Sequence, residues 1–465
     1  MITTIFAFTN SSPKYKQIYE HFKSFIEHGD IKADEPLPSI RHLAQSLQVS
    51  RNTTLMAYEQ LVAEGYIRGE GRKGYFVNEI EPLSFQEARG SSHHKQTEPV
   101  PSVRIDFRAD VVDQAHFPLK AWRRISNQVL TEKDSFRYGE PFGEWCLREQ
   151  IAAYLLQSRG VRTDPHAIFI GSSTQQMLVY LGHVLKQDFS SLIVEDPGYD
   201  GAREAFQLNR FTLETLPVYE TGADFSHLEQ MNSRLIYVAP SHHSPYGVSM
   251  PIQQRHALIH WAIKMQGYII EDDYDSEFRY TQQPFPALAS IDSSRVIYLG
   301  NFSKCFLPGI RLSYMVLPQP LINAYRNQFT HFESTTSLLS QFAMSKFMEE
   351  GEWNRHIKRM RLVYKRKMQH LVFELRNHFK QHISIIGEQS GLYVLVKVHL
   401  ECSEEWLIQQ ASIQGVKVYP TSPFFLNNKT EEPMIKLGFS NLSLDDIQLG
   451  VKLLKKAWLN ETVIF

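Results

Sequence analysis

The sequence predicts an α/β protein in two parts: an N-terminal winged helix-turn-helix, then a larger domain with a mostly parallel sheet and a smaller C-terminal subdomain. Three observations carry this. Apolar residues recur at helical spacing from Tyr15 to Leu61 and then give way to a hairpin pattern. From Ala167 onward, short β-rich runs alternate with helix-like stretches. Between these parts, about Glu81 to Val103, lies a polar segment with Gly90-Ser91-Ser92-His93-His94, three prolines and no apolar period. The expected boundaries are residues 1–80, a linker over 81–104, and 105–465.

Composition bounds the class. With 465 residues, 43% hydrophobic and 21% charged, the chain is of ordinary globular make-up and long enough for several domains. A net charge of -1 excludes bulk basicity as a source of nucleic-acid affinity, so any DNA contact must come from local arginines. Cys146, Cys305 and Cys402 are too scattered for a disulfide framework or zinc site, and the paired histidines lack further ligands; no metal is expected. No apolar run reaches the ~20 residues of a membrane span, and no secretory pattern opens the chain. A cytoplasmic protein with no membrane partner is expected.

In chain order, Ile18, Tyr19, Phe22 and Ile26 mark a first helix ended by Gly29. Ser39 opens a second, with Leu43, Ala44 and Leu47 turned inward. Ser50 is a natural N-cap for a third, in which Thr54, Ala57, Tyr58 and Leu61 share a face. Tyr66 to Arg68 and Tyr75 to Val77 then flank a turn rich in Gly, Arg and Lys. Such a unit presents the start of its third helix to the major groove. Arg51 is the candidate for guanine readout, and Asn52 and Thr53 can serve bases or phosphates. Arg41, Arg72 and Lys73 would clamp the backbone, with Gly71 and Gly74 allowing a tight wing.

In the larger part, strand-like runs at 167–170, 191–194, 235–238, 268–270 and 295–299 are each followed by polar residues: Gly171 to Gln175, Glu195-Asp196, Ser241-His242, Asp272-Asp273, and Asn301 to Lys304. These sets would gather at the carboxyl edge of the sheet, where open α/β folds bind ligands. The stretch YLGNFSKCFLPGIRLSY, 298–314, places Lys304 in a Ser-Lys turn with Arg311 following. That suits a lysine holding an aldehyde cofactor and an arginine on its phosphate. Pyridoxal 5'-phosphate would draw a Schiff base from Lys304 and a ring-nitrogen partner from Asp272. Tyr274 would donate to the phenolic oxygen. The helix opening at Ser172, Ser173, Thr174 and Gln175 would receive the phosphate, Ser303 and Arg311 would add to that anchor, and Tyr199 would stack on the ring.

Two resemblances join these readings. LPSIRHLAQSLQVSRNTTLMAYEQLVAEGYIRGEGRKGYFV (37–77) resembles the GntR-type winged helix; the likeness assigns DNA contacts to Ser39, Arg41, Ser50, Arg51, Asn52, Thr53 and the wing around Arg72, Lys73 and Gly74. IIEDDYDSEF (269–278) and GNFSKCFLPGIRLSYMVLP (300–318) resemble the aspartate-aminotransferase class in its MocR-type branch. YGEPFGEWCLREQIAAYLLQSRGV (138–161), GSSTQQ (171–176), VEDPGYDGAR (194–203) and VAPSHHSPYGVSMP (238–251) support the same likeness. It implies a PLP-binding regulator that binds a double-stranded operator, responds to a small-molecule effector and forms a head-to-tail homodimer, in which Tyr138 reaches the neighbouring cofactor site.

The chain departs from this pattern in SHHSPYG, with Ser244 before the proline and Tyr246 after it where relatives commonly have an aromatic and a small hydroxyl residue, and at two arginine positions. Relatives that sense an amino acid through its carboxylate carry an arginine two residues after the Pro-Gly-Tyr tyrosine, where this chain has Gly201. They carry another after a Gly-Phe-x pattern, whose counterpart here is Asn441. The expectation is that both carboxylate grips are missing and that Arg203 does not replace them. A ligand without a carboxylate, a dipeptide held differently, or the cofactor itself would then be the signal. His242 and His243 are expected to be structural or cofactor-adjacent. An active aminotransferase with an accessory DNA domain, and a scaffold that holds no cofactor, are the competing readings.

Overall fold

The computed structural model describes residues 8–9, 12–80, 103–109, 111–280, 285–427 and 432–459. Most of the expected linker, including His93 and His94, lies outside the described residues. The chain divides into two compact units, Met1–Glu98 and Pro99–Phe465.

In the first unit, helix Lys14–Glu27 buries Ile18, Phe22 and Ile26. Gly29, at φ 76°, supplies the left-handed turn after it. Helices Ile40–Ser46 and Arg51–Ala63 follow. Each is capped as the sequence suggests: Ser39 Oγ accepts from the His42 N–H at 3.2 Å and Ser50 Oγ from the Thr53 N–H at 3.1 Å. Strands β1 (Ile67–Gly69) and β2 (Tyr75–Val77) pair antiparallel, Ile67 facing Val77. Ile18, Phe22, Leu43, Ala57, Tyr58 and Leu61 close the core. The buried Tyr58 hydroxyl is satisfied by the Pro38 carbonyl at 2.9 Å.

The second unit begins with β3 (Ile105–Asp106). Its main sheet takes β4 (Ile168–Gly171), β5 (Ser191–Asp196), β6 (Thr212–Tyr219), β7 (Gly222–Ala223), β8 (Leu235–Val238), β9 (Tyr268–Asp273), β10 (Val296–Asn301) and β11 (Ser313–Val316). Their order is β4-β11-β10-β9-β8-β5-β6-β7. The run β10-β9-β8-β5-β6 is parallel, while β11 is antiparallel to both its neighbours. The five strand-like runs in the sequence all became strands. β6 and β11 were not read: β6 carries Pro217 near its end, and the short β11 lies directly behind the lysine loop.

A smaller sheet follows, from β12 (Ile383–Ile386), β13 (Tyr393–Val398), β15 (Tyr419–Pro420) and β16 (Met434–Gly438), ordered β12-β13-β16-β15 and antiparallel. Between them β14 (Val416–Lys417) pairs parallel with β3, tying the start of this unit to its C-terminal subdomain. Helix Glu352–Phe379, 28 residues long, packs against Leu444–Leu459.

The end of β9 concentrates charge. Glu271, Asp272 and Asp273 are all buried. Asp273 meets Arg159 Nε at 2.6 Å, both side chains almost wholly enclosed, and also accepts from the Tyr298 hydroxyl. Removing one partner of such a pair strands the other charge away from water. Asp273→Ala is therefore expected to destabilise this unit by ~3–5 kcal/mol, read as a lower denaturant midpoint for its transition; a loss below ~1 kcal/mol would contradict the pairing.

Candidate functional site

At the carboxyl ends of the parallel strands lies a cleft of about 410 Å³. Lys304 lines it from the loop after β10. That loop is turned by Asn301, whose Oδ1 accepts from the N–H groups of Ser303 at 3.1 Å and Lys304 at 3.3 Å. Ser303, Arg311, Tyr199 and Tyr274 also line the cleft. Arg311 adopts the left-handed region at φ 53°.

Asp272 faces the cleft from β9. One of its oxygens accepts from the Tyr237 hydroxyl, while Oδ1 is buried without a partner among the described residues. Burial pushes its carboxyl up to about 7, against the pull of the Tyr237 hydrogen bond and Lys304. An acid raised by desolvation with one oxygen unsatisfied is a seat for a cationic or N–H group. Helix Thr174–Leu185 points its N-terminus at the same space. Ser173 Oγ caps that helix by accepting from the Gln176 N–H at 3.1 Å, and the first-turn N–H groups of Thr174 and Gln175 are positioned for an anion.

The expected residues are not all brought together. Ser172 does not line the cleft; its N–H donates to Gln176 Oε1 at 3.1 Å. Tyr138 does not line the cleft of its own chain and is 85% exposed. The Tyr274 hydroxyl stands 3.0 Å from His242 Nδ1, which is itself 2.8 Å from both Asp275 oxygens. His242 is thus built into a buried network rather than exposed as a ligand contact. His243 Nε2 donates to the Pro197 carbonyl, 3.0 Å away, and burial holds the ring down to about 3, that is, neutral.

Asn441 requires a correction. It lines a separate cavity with Asp113, His116 and Lys367. The cleft instead receives Lys436 from β16, its Nζ 4.3 Å from the Tyr393 ring centroid and 5.1 Å from that of Phe424. The cleft therefore does hold a cation beyond Lys304 and Arg311, and the signal was the alternation of Met434–Gly438, which was not read as a strand. A Cβ at Gly201 would stand 2.5 Å from the Tyr199 hydroxyl oxygen and 2.6 Å from Gln175 Nε2, so a larger residue there requires those two side-chain ends to shift. Arg203, as expected, does not substitute; its guanidinium donates to the Pro423 and Phe424 carbonyls. Sequence reasoning also missed Tyr237 and Ser313, and it placed Glu195 at the carboxyl edge without giving it a role. Glu195 is buried, its carboxyl pushed up to about 8, and Ser313 Oγ is buried without a partner beside the cleft.

These residues fit pyridoxal phosphate: an amine for its aldehyde, an unsatisfied carboxylate oxygen for its ring nitrogen, and a helix N-terminus with Arg311 for its phosphate. When bound it supplies an electrophilic carbonyl and an electron-withdrawing ring.

In the DNA-reading unit, Arg41, Arg51, Asn52 and Lys73 are exposed and Thr53 is half-buried. Ser39 and Ser50 are committed to the caps described above, and Ser50 Oγ also lies 2.8 Å from Thr53 Oγ1. Lys73 lies 3.7 Å from Glu70, and Gly74 takes φ 113°, closed to most side chains. The side chain of Arg72 lies outside what is described.

Fold and cleft together define an aminotransferase-class domain joined to a winged helix. Residues 105–452 match the family "Aminotransferase class I and II", and residues 14–77 match "Bacterial regulatory proteins, gntR family". The chain belongs to the MocR-type HTH transcriptional regulators. It is 39% identical over 461 residues to the Bacillus subtilis HTH-type transcriptional regulator YdeL, covering 98% of this chain and 99% of that one. It is 30% identical to the probable rhizopine catabolism regulatory protein MocR of Rhizobium meliloti, covering 96% and 94%. Among solved structures, α-aminoadipate aminotransferase LysN of Thermus thermophilus, complexed with N-(5'-phosphopyridoxyl)-L-leucine, is 27% identical with a TM-score of 0.68 over 77% of this chain and 92% of that one. An archaeal alanine:glyoxylate aminotransferase gives 25% and 0.71 over 77% and 91%.

The buried acids make stability depend on pH. Glu195, Glu271 and Asp272 hold protons in the folded chain up to about 8, 7 and 7, mainly through burial, whereas unfolding returns them to 4.5, 4.5 and 3.8. The folded state binds more protons in that interval, so this stability is full at low pH and lost as pH rises. The buried His243 and His356, held down to about 3 and 4, act oppositely, but only below 6.5. Between 6.5 and about 8 the acids act alone. The melting temperature of the cofactor-free chain should fall across that range, and pyridoxal phosphate should lessen the slope by giving Asp272 a cationic partner; a flat or rising profile without cofactor would contradict the assignment. Asp272→Asn should weaken cofactor retention by ~100-fold, measured by dialysis and the visible absorption of the bound cofactor.

Proposed function

We propose that this regulator reads operator DNA with the start of helix Arg51–Ala63 and the β1–β2 wing, while its larger unit, holding pyridoxal phosphate at Lys304, senses a small primary amine that also bears an acidic group. One observation carries the effector class: Lys304 and Lys436 line the same cleft. The amine would engage the cofactor beside Lys304 and the acidic group would face Lys436. The Tyr393 and Phe424 rings place that ammonium in a partly apolar, aromatic setting, where a point charge attracts an anion without the two-pronged geometry an arginine imposes. Effector binding alters operator affinity to the extent that it discriminates between two states of the protein.

The working form in this reading is a cytoplasmic head-to-tail homodimer. Phe136 and Tyr138, 83% and 85% exposed and two positions apart, support a surface covered by a second copy, with Tyr138 reaching its cleft.

Mobility shifts over the promoter beside the gene test the regulator. Arg51→Ala should lose ~1–3 kcal/mol and relax sequence preference, whereas Lys73→Ala should weaken all sequences alike and lower the salt dependence. For the effector, γ-aminobutyrate and butylamine serve as acidic and neutral probes, followed through the cofactor's visible absorption. Lys436→Gln should weaken the response to the acidic probe about tenfold and leave the neutral one unchanged. If neither probe alters absorption or DNA affinity while free cofactor alters the latter, the cofactor itself is the signal and the amine reading fails.

A further inference from the structure

A second cavity, of about 820 Å³, opens on the other side of the segment that bounds the cofactor cleft. Ser244 lines the cleft, whereas Tyr246 through Ile252 line the second cavity. Its walls are largely apolar, with Val248, Met250, Ile252, Phe285 and Ile386. Two buried guanidinium groups, from Arg255 and Arg279, also line it.

The two arginines are satisfied differently. Arg255 donates to three carbonyls, of Met250 at 2.9 Å, Pro286 at 2.7 Å and Pro240 at 2.9 Å. Arg279 is 5% exposed and lies over the Phe285 ring, 4.0 Å from its centroid. Its Nη1 donates to Ser249 Oγ at 2.6 Å and to the Ser241 carbonyl at 3.4 Å, and its Nε is buried with no partner among the described residues. All these acceptors are neutral. Ser390, bridged backbone to backbone with Arg279 and 2% exposed, also lines the cavity with its Oγ unpartnered.

The surrounding charges leave a positive excess. Arg159 is neutralised by Asp273. Burial and the neighbouring Arg159 pull the Arg279 guanidinium below its usual range, as expected of a buried cation without a counter-ion. The two acids on the lining are engaged elsewhere, Glu220 with Lys397 at 2.5 Å and Glu388 with Arg376 at 2.9 Å. A buried cation beside an unpartnered hydroxyl, in an apolar cavity of ligand size, is the donor set for an oxyanion on a hydrophobic body.

We propose that this cavity is a second ligand site, separate from the cofactor cleft, that takes a small carboxylate with an apolar body. The carboxylate lies against Arg279 and Ser390, and the body packs on Phe285, Met250 and Ile386. Such a ligand contacts the same segment whose other side bounds the cofactor cleft.

Phenylpropionate and its uncharged analogue phenylpropanol are suitable probes, applied by calorimetry to the full chain whose cofactor has been fixed at Lys304 by borohydride, so that the front cleft is filled. Phenylpropionate should bind saturably in the millimolar range or tighter, phenylpropanol about tenfold more weakly. Hydrogen exchange should slow at 246–252 and 385–390. Arg279→Gln should weaken phenylpropionate about tenfold or more. Ile386→Trp, which places an indole where the apolar body packs and leaves the guanidinium groups untouched, should weaken its binding about tenfold or more, and serves alone if the Arg279 variant fails to fold. Absence of saturable binding, equal affinity for the two probes, or unchanged binding in a folded variant overturns the proposal. The front cleft being filled, none of these outcomes depends on the amine reading above.

Discussion

Three consecutive acids at the end of β9 are the constraint around which the larger unit is organised. Buried carboxylates cost several kcal/mol each unless they are protonated, paired or hydrogen-bonded. Strand geometry sends alternate residues to opposite faces, so Glu271 and Asp273 meet one environment and Asp272 the other. Glu271 takes the N–H groups of Leu288 at 2.9 Å and Ala289 at 3.0 Å, where a short helix begins. Asp273 takes Arg159 and Tyr298. Asp272 has Tyr237 on one oxygen and nothing on the other. The first two acids bind parts of the scaffold together, and the third is left with capacity for a ligand. A strained electrostatic balance in the cofactor-free chain is thus the same thing as affinity for a cationic ring.

Arg159 links this arrangement to the neighbouring segment. Besides Asp273 it donates to Ser241 Oγ at 2.6 Å and to the Phe285 carbonyl. Ser241 begins the loop that runs past His242 and Ser244, and Asp275, two residues beyond the acid row, fixes His242. Asp196, at the end of β5, accepts from Leu426 at 2.8 Å and Asn427 at 2.9 Å, while Arg203 holds the Pro423 and Phe424 carbonyls. The C-terminal subdomain is therefore fastened to the cleft by charged groups at strand ends, and these bonds present Phe424 to the site.

Much of this was legible because each signal was local. Serine before an apolar helical period predicts an N-cap, and both Ser39 and Ser50 act so; the same fact reduces their claim to be DNA contacts, since a hydroxyl engaged by its own helix has less to offer a phosphate. The five strand runs and the polar residues after them gave the carboxyl edge, hence Lys304, Asp272, Tyr199 and the helix at Thr174. What escaped were residues whose roles depend on distant packing. Ser172 differs from Ser173 only by which neighbour, Gln176 or the cleft, its groups meet. Tyr237 looked like an ordinary strand residue until the register placed its hydroxyl beside Asp272, and Glu195, though placed at the carboxyl edge, gave no sign of its burial there. Lys436 was missed because a motif was aligned by its glycine and phenylalanine, whereas the side chain that reaches the cleft is decided by the alternation of β16, in which Lys436 faces in and the chain turns away before Asn441.

That last displacement changes the chemistry the cleft can recognise. With neither arginine of the amino-acid-gripping relatives, the sequence pointed to a ligand without a carboxylate, a dipeptide held differently, or the cofactor itself. A lysine changes the balance without restoring the original grip. Its ammonium offers three donors around a single charge, whereas a guanidinium presents a planar fork matched to a carboxylate. Selection by a fork is angular and favours one orientation of a planar acid; selection by a point charge is radial and tolerates carboxylate, sulfonate or phosphonate at somewhat different distances. Gly201 reinforces this, because the space an arginine would cross is taken by Tyr199 and Gln175. On the proposed reading the chain retains one pole for an anion and gives up the second that would fix its plane, which relaxes the geometry of the acid while still requiring its charge.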